Sequence, residues 1–100
     1  MLNLLPRYTE IVKTILKMHI PQREVWVFGS RVTPNIKPHS DLDLAIMGNT
    51  PLSSMELSAL REAFDNSNLP FQVDIVDWAT TSEEFREIIQ ANHEVIQTVE

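Results

Sequence analysis

The sequence contains no cysteine among its 100 residues. This absence excludes disulfide bonds and thiolate zinc sites, and it agrees with a reducing compartment. No apolar stretch approaches the roughly 20 residues that a membrane span needs, and no basic segment followed by an apolar run marks a signal peptide. We therefore expect a cytoplasmic protein with no membrane partner.

Basic residues are scarce as well: 8 Lys and Arg stand against 14 Asp and Glu, for a formal net charge of −6. This charge repels nucleic acid backbones, so we expect no direct nucleic-acid partner. It suits a basic partner protein, or it simply keeps the chain in solution. One hundred residues predict a single domain, residues 1–100, whose limited core would gain stability in a homo- or hetero-oligomer.

The hydrophobic pattern predicts helices that alternate with strands. An amphipathic helix is expected from Leu5 to about His19, with Pro6 in its first turn. Runs of β-branched, aromatic and alternating apolar residues predict strands at 24–28, 41–47 and 71–77. The order predicts an α/β fold in which helices flank a small sheet. Between the first two strands, the prolines of residues 31–39 allow at most a short helical turn before a loop.

Two capping boxes predict where the later helices begin. Ser53 with Glu56 marks a helix that runs to about Asn66, and Thr81 with Glu84 marks a final helix. In that final helix the residues expected to face inward are Phe85, Ile88, Ile89, Val95 and Ile96.

Paired acids at the start of the second strand are the first candidate for chemistry. Side chains alternate along a strand, so Asp41 and Asp43 project from one face while Leu42 and Leu44 project from the other. Adjacent carboxylates repel each other unless a cation neutralises them, and oxygen ligands favour a hard ion such as Mg²⁺ or Mn²⁺. The alternative is a solvated acidic pair at a strand edge.

A glycine and a serine end the first strand. Gly29 would let the backbone approach a ligand, and Ser30 would add a hydroxyl and helix N–H groups for a bound phosphate. The plainer interpretation is a turn glycine followed by a helix-capping serine.

A third carboxylate lies on the third strand. Asp74 alternates with Val73 and Ile75, so it points away from the core, whereas Asp77 shares the parity of those two residues. If the second and third strands are neighbours, Asp74 joins the first two acids, as two-metal nucleotidyl transfer requires. Asp77 is its alternative.

The arrangement Gly29-Ser30, ten residues, then Asp41-Leu42-Asp43 resembles the signature of the polymerase β-like nucleotidyltransferase superfamily. The chain is most similar to the minimal nucleotidyltransferases (MNT proteins) encoded beside HEPN-domain proteins, and the likeness runs from about Leu5 to the end. It implies a small mixed sheet flanked by helices, ATP with Mg²⁺, and Gly29-Ser30 at the triphosphate. It also implies that Asp41, Asp43 and Asp74 are catalytic metal ligands.

The same resemblance implies that the protein is an antitoxin, which transfers AMP to a tyrosine hydroxyl of a HEPN ribonuclease toxin. Two alternatives stay open: a binding module that neutralises the toxin by occlusion, and a nucleotidyltransferase for a small-molecule acceptor such as an aminoglycoside. The acidic charge favours the first alternative, and the lack of a visible acceptor-binding domain disfavours the second.

The segment after Gly29-Ser30 departs from the family pattern. Members often continue Arg-Ala-x-Gly, whereas this chain reads Arg31-Val32-Thr33-Pro34, and a proline stiffens the loop and removes a backbone donor. Arg31 is a candidate nucleotide-binding residue that would reach a phosphate; the alternative is a surface arginine after a turn. Weaker candidates, each with an ordinary structural alternative, are Ser40 beside the acids, His39 near the nucleotide, and Trp26 and Trp78 as adenine platforms.

Overall fold

A computed structural model describes residues 2–32 and 40–99. Its helices are α1 (Pro6–His19), α2 (Ser54–Asp65) and α3 (Glu83–Ala91), and its strands are β1 (Val25–Phe28), β2 (Leu42–Ile46), β3 (Val73–Asp77) and β4 (His93–Gln97). Two short 3₁₀ helices follow strands, at Gly29–Val32 after β1 and at Trp78–Thr80 after β3. No helix among the described residues is long and apolar enough to cross a membrane.

The strands form one mixed sheet in the order β3-β2-β1-β4. β2 and β3 run parallel, which their connection through α2 allows, while β1 is antiparallel to both β2 and β4. This architecture confirms the predicted α/β class, a small mixed sheet flanked by helices. It also confirms that the second and third strands are neighbours.

The first two helices form where their patterns predict them. α1 has Pro6 at its first position, and it buries Val12 and Leu16 completely. At the start of α2 both bonds of the capping box are present: the Glu56 N–H donates to Ser53 Oγ and the Ser53 N–H donates to Glu56 Oε1, each at 3.1 Å. Leu60 and Phe64 of α2 are buried.

The two faces of the sheet have different environments. Leu42, Leu44 and Ile46 are fully buried in the main core with the apolar stripes of α1 and α2. On the other face, Ala45 packs in a smaller cluster with Phe28 of β1 and Ile89 of α3. We call the face that carries Ala45 the thinly covered face. Asp41 and Asp43 alternate with the buried leucines, so they belong to this face, away from the main core.

The predicted final helix is wrong in its second half. α3 ends at Ala91, Asn92 takes an extended conformation (φ −145°, ψ 99°), and the chain continues as β4 along the open edge of β1. Ile89 and Ile96 are buried as expected, but Phe85, Ile88 and Val95 are 37%, 64% and 47% exposed. Because Ile89 and Ile96 are two helical turns apart, their spacing agrees with a helix as well as with a helix followed by a strand. The unpaired backbone of β1 decides between them, since β4 satisfies its hydrogen bonds.

The cap of α3 also lies one residue later than predicted. The Phe85 N–H donates to Ser82 Oγ at 3.3 Å, so Ser82 and not Thr81 caps the helix. The Thr81 hydroxyl donates instead to the carbonyl oxygen of Asp77 at 2.7 Å, where it holds the turn that follows β3.

Candidate active site

Strand register brings two of the predicted carboxylates side by side. In the parallel pair of β2 and β3, Asp43 lies opposite Asp74, and the flanking pairs Leu42–Val73 and Leu44–Ile75 face the main core. Directly opposed side chains on neighbouring strands lie about 5 Å apart at Cβ. Asp43 and Asp74 therefore form an adjacent pair on the thinly covered face.

The end of β1 lies beside Asp43, on the side of β2 opposite to β3. β1 is antiparallel to β2 and pairs Phe28 with Asp43, so Gly29 follows directly beside the acid. Gly29 has a φ of +77°, which side chains other than glycine rarely adopt. A Cβ at this position would overlap Asp43 Oδ2 and lie 3.2 Å from its Cγ. The glycine is thus needed both for its turn and for the close approach of the carboxylate, which joins the Gly29-Ser30 end of β1 to the acids.

Burial and the neighbouring carboxylates both favour the protonated form of Asp43. Burial of its half-buried side chain, then the charge of Asp74, then that of Asp41, raise the pKa of Asp43 from 3.8 to about 6. Asp41 precedes β2 and is exposed, whereas Asp74 is partly buried and accepts a hydrogen bond from Gln72 Nε2 at 3.2 Å. Carboxylates whose charges raise the pKa of Asp43 form a region of negative potential that a cation would relieve.

The donor chemistry of this group fits a hard divalent cation, since all its ligand atoms are carboxylate oxygens. Within residues 2–32 and 40–99, no three His, Cys, Asp or Glu side chains already converge into a cluster that could hold a metal ion. The metal-ligand roles of Asp41, Asp43 and Asp74 stay a prediction.

Asp77, the alternative to Asp74, has a different environment. Its Oδ2 accepts the Leu52 N–H at 2.8 Å and its Oδ1 accepts the Ala79 N–H at 3.2 Å. These bonds tie the loop before α2 to the turn after β3. The geometry therefore favours Asp74 as the third carboxylate and gives Asp77 a role in the fold.

The guanidinium of Arg31 contacts protein backbone. It is buried, and it donates hydrogen bonds to the carbonyl oxygens of Ser40 and Asn3. The predicted contact between Arg31 and a phosphate therefore stays a prediction, and the surface location that was its alternative is wrong. Ser40, the weaker candidate beside the acids, contributes its carbonyl oxygen to this contact. His39 and Pro34 lie outside the described residues.

Both tryptophans pack within the smaller cluster, as the plainer interpretation had it. Trp26 and Trp78 meet edge to face with ring centroids 5.4 Å apart. Trp26 also stacks on His93 at 3.8 Å, and the guanidinium carbon of Arg86 lies 5.0 Å from the Trp78 ring centroid. These contacts occupy ring surface that an adenine would need. The role of His93 was missed because the sequence pattern did not predict β4, whose pairing with β1 sets His93 opposite Phe28.

Comparison with known proteins agrees with this geometry. Residues 10–99 match the family model of polymerase beta nucleotidyltransferases. The chain therefore belongs to the polymerase β nucleotidyltransferase family. It is similar to the probable protein adenylyltransferase MntA of Haemophilus influenzae, with 54% identity over 90 residues, covering 90% of this chain and 79% of the relative.

Solved structures show the same fold at lower identity. A crystal structure of a toxin–antitoxin with AMP-PNP aligns with a TM-score of 0.73 at 22% identity, covering 90% of this chain and 73% of that chain. A tri-AMPylated Shewanella oneidensis HEPN toxin in complex with MNT antitoxin aligns with a TM-score of 0.60 at 19% identity, with the same coverage of both chains. At these identities the likeness establishes the fold alone.

Proposed function

We propose that this protein is a protein adenylyltransferase that transfers AMP from ATP to a tyrosine hydroxyl of a HEPN ribonuclease toxin, and thereby acts as its antitoxin. The observation that carries the proposal is the pairing of Asp43 with Asp74 directly beside Gly29, which unites the nucleotide-binding and metal-binding signatures at one point of the sheet. The 54% identity to a probable protein adenylyltransferase supports the choice of reaction. The solved complex of an MNT antitoxin with a tri-AMPylated HEPN toxin supports a HEPN toxin as the acceptor.

Each residue of the site has a part in this reaction. Asp41, Asp43 and Asp74 would hold Mg²⁺ or Mn²⁺, which when bound neutralises the triphosphate and acidifies the attacking hydroxyl. The Gly29-Ser30 turn would supply backbone N–H groups and a hydroxyl to the triphosphate. Asp74 would accept the proton of the acceptor hydroxyl.

The bonds exchanged are those of nucleotidyl transfer. The acceptor oxygen attacks the α-phosphorus of ATP, a new oxygen–phosphorus bond forms, and the bond from the α-phosphorus to the bridging oxygen of the β-phosphate breaks. Pyrophosphate leaves with the bonding electrons, and the proton of the hydroxyl passes to the carboxylate. The site thus needs no residue that forms a covalent intermediate.

A dual-label experiment tests the proposal. The full chain is incubated with its HEPN-domain partner, Mg²⁺ and ATP labelled either at the α-phosphate or at the γ-phosphate. We expect the α-label on the partner and the γ-label in released pyrophosphate, and we expect Asp41→Asn combined with Asp43→Asn to abolish both. Glu10→Gln, an exposed carboxylate on α1, serves as the control that removes one negative charge elsewhere. Transfer of the γ-label, or no transfer by the wild type, would rule out AMP transfer.

Occlusion of the toxin is separated from catalysis in the same experiment. If the double aspartate variant inhibits the partner's ribonuclease activity as well as the wild type does without ATP, binding alone explains neutralisation. Multiple turnover on a small hydroxyl compound without the partner would instead support a small-molecule acceptor. A single domain over residues 1–100 and a cytoplasmic location remain predictions.

A further inference from the structure

Arg31 is the charged side chain that the structure buries within its described part, with 7% of its surface exposed. A buried guanidinium is costly unless its N–H groups find acceptors, so its partners show what the burial achieves. Arg31 belongs to the 3₁₀ helix that begins at Gly29, and it therefore directly follows the proposed triphosphate-binding turn.

The hydrogen bonds of the guanidinium go to two main-chain carbonyl oxygens. Nε and Nη2 donate to the carbonyl oxygen of Ser40 at 3.2 Å and 2.7 Å, and Nη1 donates to that of Asn3 at 3.3 Å. The Asn3 N–H returns a bond to the carbonyl oxygen of Arg31 at 2.7 Å. One residue thus connects the first 3₁₀ helix to the N-terminal segment and to the chain that leads into β2.

The guanidinium of Arg31 also lies over an aromatic ring. The guanidinium carbon lies 4.4 Å from the centroid of the Phe71 ring, which in turn meets Tyr8 of α1 edge to face at 5.8 Å. Phe71 lies just before β3, the strand that carries Asp74. Arg31 therefore contacts the segments that lead to each part of the site.

The bond to Ser40 has the most direct consequence. The carbonyl of Ser40 belongs to the same peptide unit as the N–H of Asp41, so the two donors of Arg31 hold the peptide that carries the exposed acid. Asp41 precedes β2, and its side chain lacks the burial that fixes Asp43. Without the bond to Ser40, the Asp41 carboxylate would have a wider range of positions relative to Asp43.

We propose that Arg31 is a positioning residue. Its hydrogen bonds to the carbonyl oxygen of the Ser40–Asp41 peptide hold the Asp41 carboxylate in position for metal binding, and its guanidinium does not touch the nucleotide. This proposal rests on the proposed function for its metal and its reaction. A planar guanidinium can direct two parallel N–H groups at one region, and the ammonium of lysine cannot, so charge alone does not replace it.

The test compares Arg31→Lys with Arg23→Lys in the full chain. Arg23 is a matched control, because its Nη1 donates to the carbonyl oxygen of Met47 at 3.2 Å, just beyond the opposite end of β2. Both variants keep the charge: Arg31→Lys weakens the contacts with the carbonyls of Ser40 and Asn3, and Arg23→Lys weakens the contact with that of Met47. We expect the Kd for Mn²⁺, measured by titration calorimetry on the chain alone, to rise about tenfold for Arg31→Lys and to stay unchanged for Arg23→Lys, since small displacements of a ligand weaken a site strongly.

Kinetics and chemical rescue separate positioning from phosphate binding and from general damage. At saturating metal, Arg31→Lys should lower kcat for AMP transfer about tenfold and change KM for ATP less than about twofold, in keeping with misplaced reacting groups. Methylguanidinium should restore Mn²⁺ affinity to Arg31→Ala, and methylammonium should not. Circular dichroism confirms that each variant is folded.

Several results would overturn the positioning role. These are Mn²⁺ affinity that is absent in the wild type or equal in Arg31→Lys, equal losses in both lysine variants, and a raised KM for ATP with unchanged Mn²⁺ affinity, which would indicate a phosphate contact. If the wild type transfers no AMP, the proposed function fails, yet the calorimetric comparison still decides the role of Arg31.

Discussion

Replacing Asp43 by asparagine should stabilise the protein at neutral pH while it removes activity. The pKa of Asp43 is raised from 3.8 to about 6, by burial first and then by the charges of Asp74 and Asp41. Because the folded-state pKa lies above the unfolded one, the free energy of unfolding is highest below pH 3.8, where the group is protonated in both states, and it falls as the pH rises through about 6. Above pH 6 the ionised group disfavours folding, and an asparagine of similar shape does not.

The magnitude follows from the size of the shift. A rise of about 2 units corresponds to about 3 kcal/mol at about 1.4 kcal/mol per unit. The side chain is only half-buried, so solvent screening reduces the gain expected for Asp43→Asn to about 1–2 kcal/mol at pH 7.5.

Urea unfolding in the presence of EDTA measures this gain. We expect Asp43→Asn to raise the unfolding free energy at pH 7.5 and to leave it nearly unchanged at pH 4, where Asp43 is protonated in the folded state. Glu10→Gln, which changes an exposed carboxylate on α1, should have little effect at either pH. Equal or lower stability of Asp43→Asn at pH 7.5, or the same gain at both pH values, would refute the electrostatic reasoning.

Further changes test the rest of the site. Gly29→Ala should cost about 1–2 kcal/mol of stability through its positive φ and lower AMP transfer more than tenfold, because its Cβ would displace the Asp43 carboxylate; unchanged activity would show that this close approach is dispensable. Asp77→Ala should destabilise the fold by about 1–3 kcal/mol, because two hydrogen bonds from backbone N–H groups are lost, and it should leave AMP transfer per folded molecule intact. Asp74→Asn should abolish AMP transfer in a folded protein. The reverse pattern would exchange the roles of the two aspartates. Mg²⁺ at about tenfold its Kd should stabilise the wild type by about 1.4 kcal/mol and should not stabilise the Asp41→Asn, Asp43→Asn variant, as thermal unfolding would show.

Local patterns were enough to predict most of the elements and the acidic pair. Alternation along β2 separates Asp43 from the buried Leu42 and Leu44, because successive side chains of a strand point to opposite faces. The capping box of Ser53 and Glu56 likewise acts within one turn of helix. Such features depend on neighbours in the sequence, which a single chain displays directly.

Features that depend on pairing between distant segments were harder to predict. β4 exists because β1 needs a partner along its second edge, and the spacing of Ile89 and Ile96 did not reveal it. The choice between Asp74 and Asp77 rested on an assumed adjacency of β2 and β3, which the parallel register supplies. The burial of Arg31 is of the same kind, since Asn3, Ser40 and Phe71 approach it from separate parts of the chain.

Intact mass spectrometry of the HEPN-domain partner tests the central claim most directly. After incubation with the wild-type chain, ATP and Mg²⁺, the partner should gain the mass of one or more AMP units, and fragmentation should place them on a tyrosine. The variant that combines Asp41→Asn with Asp43→Asn should leave the partner's mass unchanged, and Glu10→Gln should behave as the wild type does. An unmodified partner after incubation with the wild type, or equal modification by the double aspartate variant, would contradict AMP transfer by these carboxylates.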